Sequence, residues 1–586
     1  MSLYEQQERR PVEDPARAGT KIPRERGGSL HHTFKHLTKR RRTMFTKRNA
    51  LISSILFIVL LSSACGAPAA TQAPYNEPSS NDEYFAPAAT EAPAETWEPA
   101  IEAPAEAPAT GMLPDGSVQN ADSEMPPEKR EPYDMFFEDY GVNPSIHAED
   151  DNLSTFALDV DTGSYTVMRN YLSDGNLPPS DSVRVEEYVN YFDQGYANPP
   201  LYQAFGITID GAPAPFTQSE RYHMLRVGIQ GYQVPEHERK DASLTFVIDV
   251  SGSMDMDNRL GLVKRSLELL VEQLRPSDSV SIVVYGTEAH IVLEPTSGSD
   301  KGRILEAIYS LQPEGTTNAE AGIRLGYKMA MHAYHPGGIN RVVLCSDGVA
   351  NVGETGPDAI LEEVDHYVEE GVTLTTIGFG MDNYNDVLME QLADNGDGFY
   401  AYVDDMREAR RLFIDQLTGT LQTIAMDAKV QVDFNPEVVM RYRLVGFENR
   451  AIADNDFRDN TVDAGEIGAG HSVTALYEVK LYPEAYGNIA TVFMRWQDPD
   501  TRQVVELSQD FSASELERDF EYANPYFQRS VVVAEYAEIL KESYWANESS
   551  LAHVYREAER VSELLPWDEN MGEFMELIRR ASHLTD

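Results

Sequence analysis

The chain has 586 residues, with 48 Lys and Arg against 96 Asp and Glu, a formal net charge of −48. At about 150 residues per domain it has room for roughly four domains, and its acidity excludes a nucleic-acid binder, which needs clustered lysine and arginine. Its 42% hydrophobic and 10% aromatic content is that of a globular protein, and its two cysteines, Cys65 and Cys345, exclude a disulfide framework and a cysteine-rich metal centre.

The charge is uneven along the chain. Residues 1–64 hold 13 basic and 5 acidic side chains, a net of +8 against −56 for the remainder. Residues 51–64, LISSILFIVLLSSA, follow Lys47 and Arg48 and precede Cys65. The run is shorter than the roughly 20 residues of a membrane span and reads as the apolar part of a signal peptide. Small residues before Cys65 resemble a bacterial lipobox, with Ser62 where leucine is usual and Leu61 one place earlier. The resemblance implies acylation of the Cys65 thiol, with the rest of the chain outside the cytoplasmic membrane. The basic stretch 1–43 then lies upstream of Met44, the expected initiator, and 44–65 is the signal. Residues 66–130 hold 11 prolines and 12 acids; such a composition buries too little apolar surface to order itself and reads as an extended tether.

Folded sequence begins near Tyr133. The stretch 131–240 combines a helical pattern over 156–172 with an alternating strand at Leu225, Val227 and Ile229. From 241 to 421, apolar strands (243–251, 278–286, 290–295, 341–348, 373–380) alternate with helical periodicity, as in Leu260, Val263, Leu267, Leu270, Val271 and Leu274. That order predicts an α/β fold with a doubly wound, mostly parallel sheet covered on both faces, whose ligands bind beyond the carboxyl ends of the strands. Two such ends carry Asp249-Val250-Ser251-Gly252-Ser253 and Ser346-Asp347-Gly348, and a loop between them reads Gly315-Thr316-Thr317-Asn318. Hydroxyl and carboxylate oxygens suit Mg²⁺, Mn²⁺ or Ca²⁺ and suit zinc or copper poorly.

These three motifs, in this order on this pattern, resemble the metal-ion-dependent adhesion site of a von Willebrand factor type A domain. The resemblance implies direct metal binding by Ser251, Ser253 and Thr317, binding through water by Asp249 and Asp347, and one position open to a partner's acidic group. The loop has Gly-Thr-Thr where the family often has Gly-Gly-Thr, and the register selects Thr317 over Thr316. YDMFFEDYGVNP with FALDVDTGSY, and VQVDFNPEVVMRYRLVGFENR with EIGAGHSVTALYEV, are similar to the flanking segments of bacterial type A-domain lipoproteins.

Other candidates have plainer readings. Asp159-Val160-Asp161-Thr162-Gly163 departs at Gly163 from the Asp-x-Asp-x-Thr of haloacid-dehalogenase-type phosphatases, so Asp159 is not expected to be a nucleophile, and Asp161 or Thr162 is expected to cap a helix or make a turn. Asp454, Asp456, Asp459 and Asp463 lack the spacing of a calcium loop and read as a solvated loop. His471 reads as a turn-adjacent strand residue and Cys345 as a small buried apolar side chain. Residues 422–586 alternate as antiparallel strands, then turn helical, with stripes at Val532, Tyr536, Ile539 and Leu540 and at Leu551, Val554, Ala558, Val561 and Leu564.

The expected function is binding, not catalysis. A protein lipid-anchored in a bacterial envelope would grip a carboxylate of a protein partner through a divalent cation, Mg²⁺ ahead of Mn²⁺ or Ca²⁺. The alternative is an envelope scaffold in which the metal is incidental; a phosphatase or other hydrolase is the third reading.

Overall fold

The computed structural model describes residues 135–200, 203–217, 221–348, 357–381 and 384–585. The upstream segment, the signal with Cys65, and the tether lie outside them. Among the described residues no helix is long and apolar enough to cross a membrane.

The strands in chain order are β1 (Ile146–His147), β2 (Leu153–Ala157), β3 (Phe205–Pro213), β4 (Tyr222–Gly231), β5 (Ala242–Asp249), β6 (Ser279–Tyr285), β7 (Ala289–Ser297), β8 (Ile339–Ser346), β9 (Thr373–Phe379), β10 (Tyr400–Val403), β11 (Thr423–Phe434), β12 (Val439–Val445), β13 (Gly465–Gly468), β14 (Ser472–Leu481), β15 (Asn488–Gln497) and β16 (Val504–Ser512). The central stretch forms a six-stranded sheet in the order β10-β9-β8-β5-β6-β7. Every pairing in it is parallel except β6 with the edge strand β7. β5 and β8 are buried along their whole length, as expected of strands covered on both faces. Helices Arg259–Gln273 and Lys301–Ser310 bury Val263, Leu267 and Ile304 on one face, and Ala319–His332 and Asp386–Asp394 bury Ile323, Tyr327 and Leu388 on the other. The mostly parallel, doubly wound sheet expected from the sequence is present.

The flanking segments do not fold as separate bodies in chain order. A five-stranded antiparallel sheet has the order β1-β12-β14-β4-β3, and a second has β13-β11-β15-β16 with β2 also paired to β11. Stretch 131–240 thus contributes three strands to one sheet and one to the other, and stretch 422–586 completes both. The two sheets share a core in which Leu225, Val227 and Ile229 of β4 meet Val430, Val432 and Trp496. Phe205 packs edge-on against Trp496 with ring centroids 4.9 Å apart. The outer face of the first sheet is covered by the C-terminal helices Pro525–Leu540, Leu551–Leu564 and Glu569–Thr585. Their stripes face that core as expected, apart from Leu564, which is exposed. The expected division at 240 and 421 marks an insertion: the type A-like stretch interrupts one β sandwich. Alternation within 131–240 and within 422–586 is a local signal, and it says nothing about which distant strand completes a sheet.

A chain ended at residue 421 is therefore expected to lose the structure of 146–231 as well. Limited proteolysis would then cut inside that span, whereas an independently folded N-terminal segment would resist.

Candidate metal-binding site

β5 and β8 are neighbours in parallel register, Ile248 opposite Cys345, so their carboxyl ends deliver Asp249 and Asp347 to the same edge. Both carboxylates are buried, Asp249 completely. Asp249 is held from two directions: its Oδ1 accepts the Ser251 backbone N–H at 2.8 Å and its Oδ2 accepts the Ser346 hydroxyl at 3.0 Å. Burial, and then the nearby Asp347, push the Asp249 carboxyl up to about 6, against the hydrogen bonds of Ser251 and Ser346. The hydroxyls of Ser251 and Ser253 lie 3.0 Å apart.

The Gly-Thr-Thr-Asn loop is fastened beside them. Gly252 N–H donates to the Gly315 carbonyl at 3.1 Å, and Thr316 N–H donates to Thr287 Oγ1 at 3.1 Å. Gly315 has φ +74, and a Cβ there would lie 2.1 Å from Thr287 Oγ1, so both conformation and space require glycine. Asn318 caps the following helix by accepting the Ala321 N–H at 3.1 Å. Thr317 is half-buried while Thr316 is exposed. The structure thus gathers Asp249, Ser251, Ser253 and Asp347, with the Thr317 loop anchored against them. These donors fit a hard divalent cation: hydroxyl and carboxylate oxygens with no sulfur or imidazole.

Sequence reasoning missed two partners. Ser346, read only as part of its motif, buttresses Asp249. Arg259, which opens the helix after the first motif, donates from Nη1 to Asp347 Oδ2 at 2.8 Å and also bonds the Met381 carbonyl. No spacing rule selects Arg259, because Asp347 lies 88 residues away.

The rival residues take structural positions. Asp159 Oδ1 accepts the Asp161 N–H at 2.7 Å in a buried turn, and its Oδ2 takes Arg450 Nε at 3.0 Å. Thr162 begins the helix Gly163–Ser173 without capping it; its hydroxyl oxygen accepts Arg411 Nη2 instead. Arg450 also reaches Glu390 at 2.8 Å and Asp394 at 2.7 Å. Arg184 pairs with Glu187 and, at 2.7 Å, with Asp386. This buried network joins all three stretches of the chain.

The loop of four aspartates is partly engaged. Asp454 accepts the Thr155 hydroxyl at 2.6 Å, and Asp463 forms a group with Asp397 and Glu466 whose carboxylate oxygens lie within 4.8 Å of one another. The solvated-loop reading is corrected at Asp454, which is half-buried with its partner on the distant strand β2, while Asp463 is exposed as expected. Cys345 is buried, and that burial pushes its thiol well up. His471 stands just before β14 as expected, its imidazole held down to about 4 by burial and by Arg411 and Arg341.

Residues 243–415 match the family model described as von Willebrand factor type A domain, and 131–225 match one described as von Willebrand factor. The sheet, with its motifs at the carboxyl ends, defines a type A-domain protein, a class that mediates protein–protein interactions and often binds a divalent metal. Residues 419–584 match the model "Uncharacterized protein YfbK, C-terminal". The chain belongs to the bacterial family of the "Uncharacterized protein YfbK" of Escherichia coli (strain K12), to which it is 36% identical over 480 residues, 77% of this chain and 81% of that protein. Human "Inter-alpha-trypsin inhibitor heavy chain H3" is 28% identical over 199 residues, 31% of this chain and 21% of that one. Among solved structures, "von Willebrand factor type A from Catenulispora acidiphila" is similar at 15% identity and a TM-score of 0.40, covering 66% of this chain and 91% of that one.

Two variants test these geometries. Gly315→Ala is expected to cost about 1–3 kcal/mol through backbone strain and the clash with Thr287, read as a lowered melting temperature; an unchanged melt would refute the tight loop. Arg450→Ala leaves buried carboxylates unpaired and is expected to cost about 3–5 kcal/mol in chemical denaturation.

Proposed function

We propose that this protein is a non-catalytic binding protein of the bacterial envelope that grips a carboxylate of a protein partner in a metal-dependent way. Asp249, Ser251, Ser253, Thr317 and Asp347 would hold the divalent cation, Mg²⁺ ahead of Mn²⁺ or Ca²⁺. When bound, the cation supplies a Lewis-acidic position for one oxygen of the partner's carboxylate. The carrying observation is the pair of Ser251 and Ser253 hydroxyls, 3.0 Å apart beside the fully buried Asp249. Neutral hydroxyls nearest the metal leave it under-neutralised and receptive to an anion. Asp249 orients Ser251 through its backbone N–H, and Ser346 fixes Asp249. The chain's acidity repels an acidic partner at long range, so recognition would be short-range and specific, less hindered at higher salt. Acylation at Cys65 and the tether 66–130 would hold the binding head away from the membrane.

Arg259 favours the scaffold reading as a second possibility. It already pairs with Asp347, so the chain itself neutralises one of the two carboxylates.

A thermal melt of the full chain with EDTA or with Mg²⁺, Mn²⁺ or Ca²⁺ separates the two. Binding restricted to the folded state stabilises it by about 2.7 kcal/mol at a hundredfold excess over Kd. The binding reading expects that rise in the wild type and its loss in Asp249→Ala. A melt indifferent to millimolar metal in both proteins would leave the scaffold reading in place.

A further inference from the structure

Three buried charges meet at the carboxyl edge of the parallel sheet: Asp249, Asp347 and Arg259, the last two only 5% and 3% exposed. Arg259 opens the helix Arg259–Gln273, directly after the turn that carries Ser253. Its Nη1 donates to Asp347 Oδ2 at 2.8 Å, and its Nη2 donates to the Met381 carbonyl just beyond β9. The backbone makes room for it. Gly380 has φ +87, and a Cβ there would collide with Arg259 Nε and Cδ. The Gly380 carbonyl in turn accepts the Tyr402 hydroxyl at 2.9 Å. The guanidinium is therefore seated by one helix and the ends of two strands, unlike a surface side chain that happens to reach a carboxylate.

Two carboxylates carry the charge that balances a divalent cation, and the hydroxyls of Ser251, Ser253 and Thr317 add none. Arg259 brings one positive charge more, and that charge is permanent, because arginine keeps its proton in proteins. Buried charges act on one another through a low local dielectric, whereas exposed acids of the neighbouring loops, such as Asp255 and Glu314, are screened by water. A guanidinium in this place has two opposite effects. It occupies an oxygen of Asp347 and repels a second cation, which weakens the hold on metal. It also leaves the loaded site with an excess of positive charge, which strengthens its attraction for an anion.

A brace is the other role an arginine can play here. Groups that orient a metal's carboxylate ligands typically cost about 10–100-fold in metal affinity when removed. The turn after β8 is already fixed without Arg259, however. Gly348 N–H donates to Ser346 Oγ at 3.2 Å, and the same hydroxyl is tied to Asp249 at 3.0 Å. Bracing by Arg259 is thus partly duplicated, whereas its charge acts on Asp347 directly. Resting on the metal-dependent reading above, we infer that Arg259 is a positioning residue that sets the balance of the site: it lowers affinity for the cation alone and raises the affinity of the loaded site for a partner's carboxylate. Metal and carboxylate then reinforce each other more strongly than they would without the arginine.

Calorimetry on the full chain tests it, with Mg²⁺ titrated in the presence and absence of acetate and chloride matching the ionic strength. Arg259→Gln removes the charge and keeps a side-chain N–H. It is expected to bind Mg²⁺ about tenfold tighter than the wild type and to gain less from acetate. Arg259→Lys restores the charge and is expected to return both quantities toward the wild type. Equal or weaker Mg²⁺ binding in a folded Arg259→Gln would overturn the inference and make Arg259 a brace. So would an acetate effect as large in that variant as in the wild type. Silence of both proteins toward Mg²⁺ well into the millimolar range is a different failure, which removes the metal site and the inference with it. Should Arg259→Gln not fold, Gly380→Ala places a methyl in the guanidinium's seat and is expected to tighten Mg²⁺ in the same way; unaltered affinity there would overturn the inference equally.

Discussion

The pairing of β4 with β14 and of β2 with β11 is the constraint on which the rest of the molecule depends. β4 and β14 run side by side over nine residue pairs, from Ser472 opposite Gln230 to Lys480 opposite Tyr222. Their partners come from opposite sides of the type A domain, so neither flank satisfies its backbone hydrogen bonds or covers its apolar face alone. The domain between them is held at both ends by one body, and its sheet therefore presents its carboxyl edge from a fixed base.

The buried ionic network at this junction has a corresponding role. Arg184 and Arg450 are surrounded by Glu187, Asp386, Glu390, Asp394 and Asp159. Desolvation raises the Glu390 carboxyl to about 7 despite both arginines. Such networks add little net stability over a well-packed apolar core, and their value is directional. Here each arginine accepts only one arrangement of side chains drawn from three stretches of sequence, which specifies how the inserted domain is seated.

Local signals in the sequence carried the type A domain far. Strand and helix periods in 241–421 matched the observed order, and two of the three oxygen-rich motifs lay at strand ends because β5 and β8 each carry an apolar run that stops just before Asp249 and Ser346-Asp347. Long-range partnerships were invisible. Arg259 meets Asp347 only through the fold, Ser346 supports Asp249 across two strands, and Asp159 finds Arg450 at a separation of 291 residues. The shared sandwich was missed for the same reason: alternation identifies a strand but leaves its neighbour undetermined. Asp454 illustrates the smaller version, a residue of a polar loop whose carboxylate takes the hydroxyl of Thr155, 299 residues away.

The entry and exit of the inserted domain lie side by side, with the Lys240 N–H donating to Gln422 Oε1 at 3.0 Å. Both are at the end of β5 opposite Asp249. A tug applied where a partner is held would travel down the length of the parallel strands and reach the sandwich through two adjacent connections. Under such a load the domain would act as a bracket clamped at its root, with both connections at one end, rather than as a bead threaded on a string.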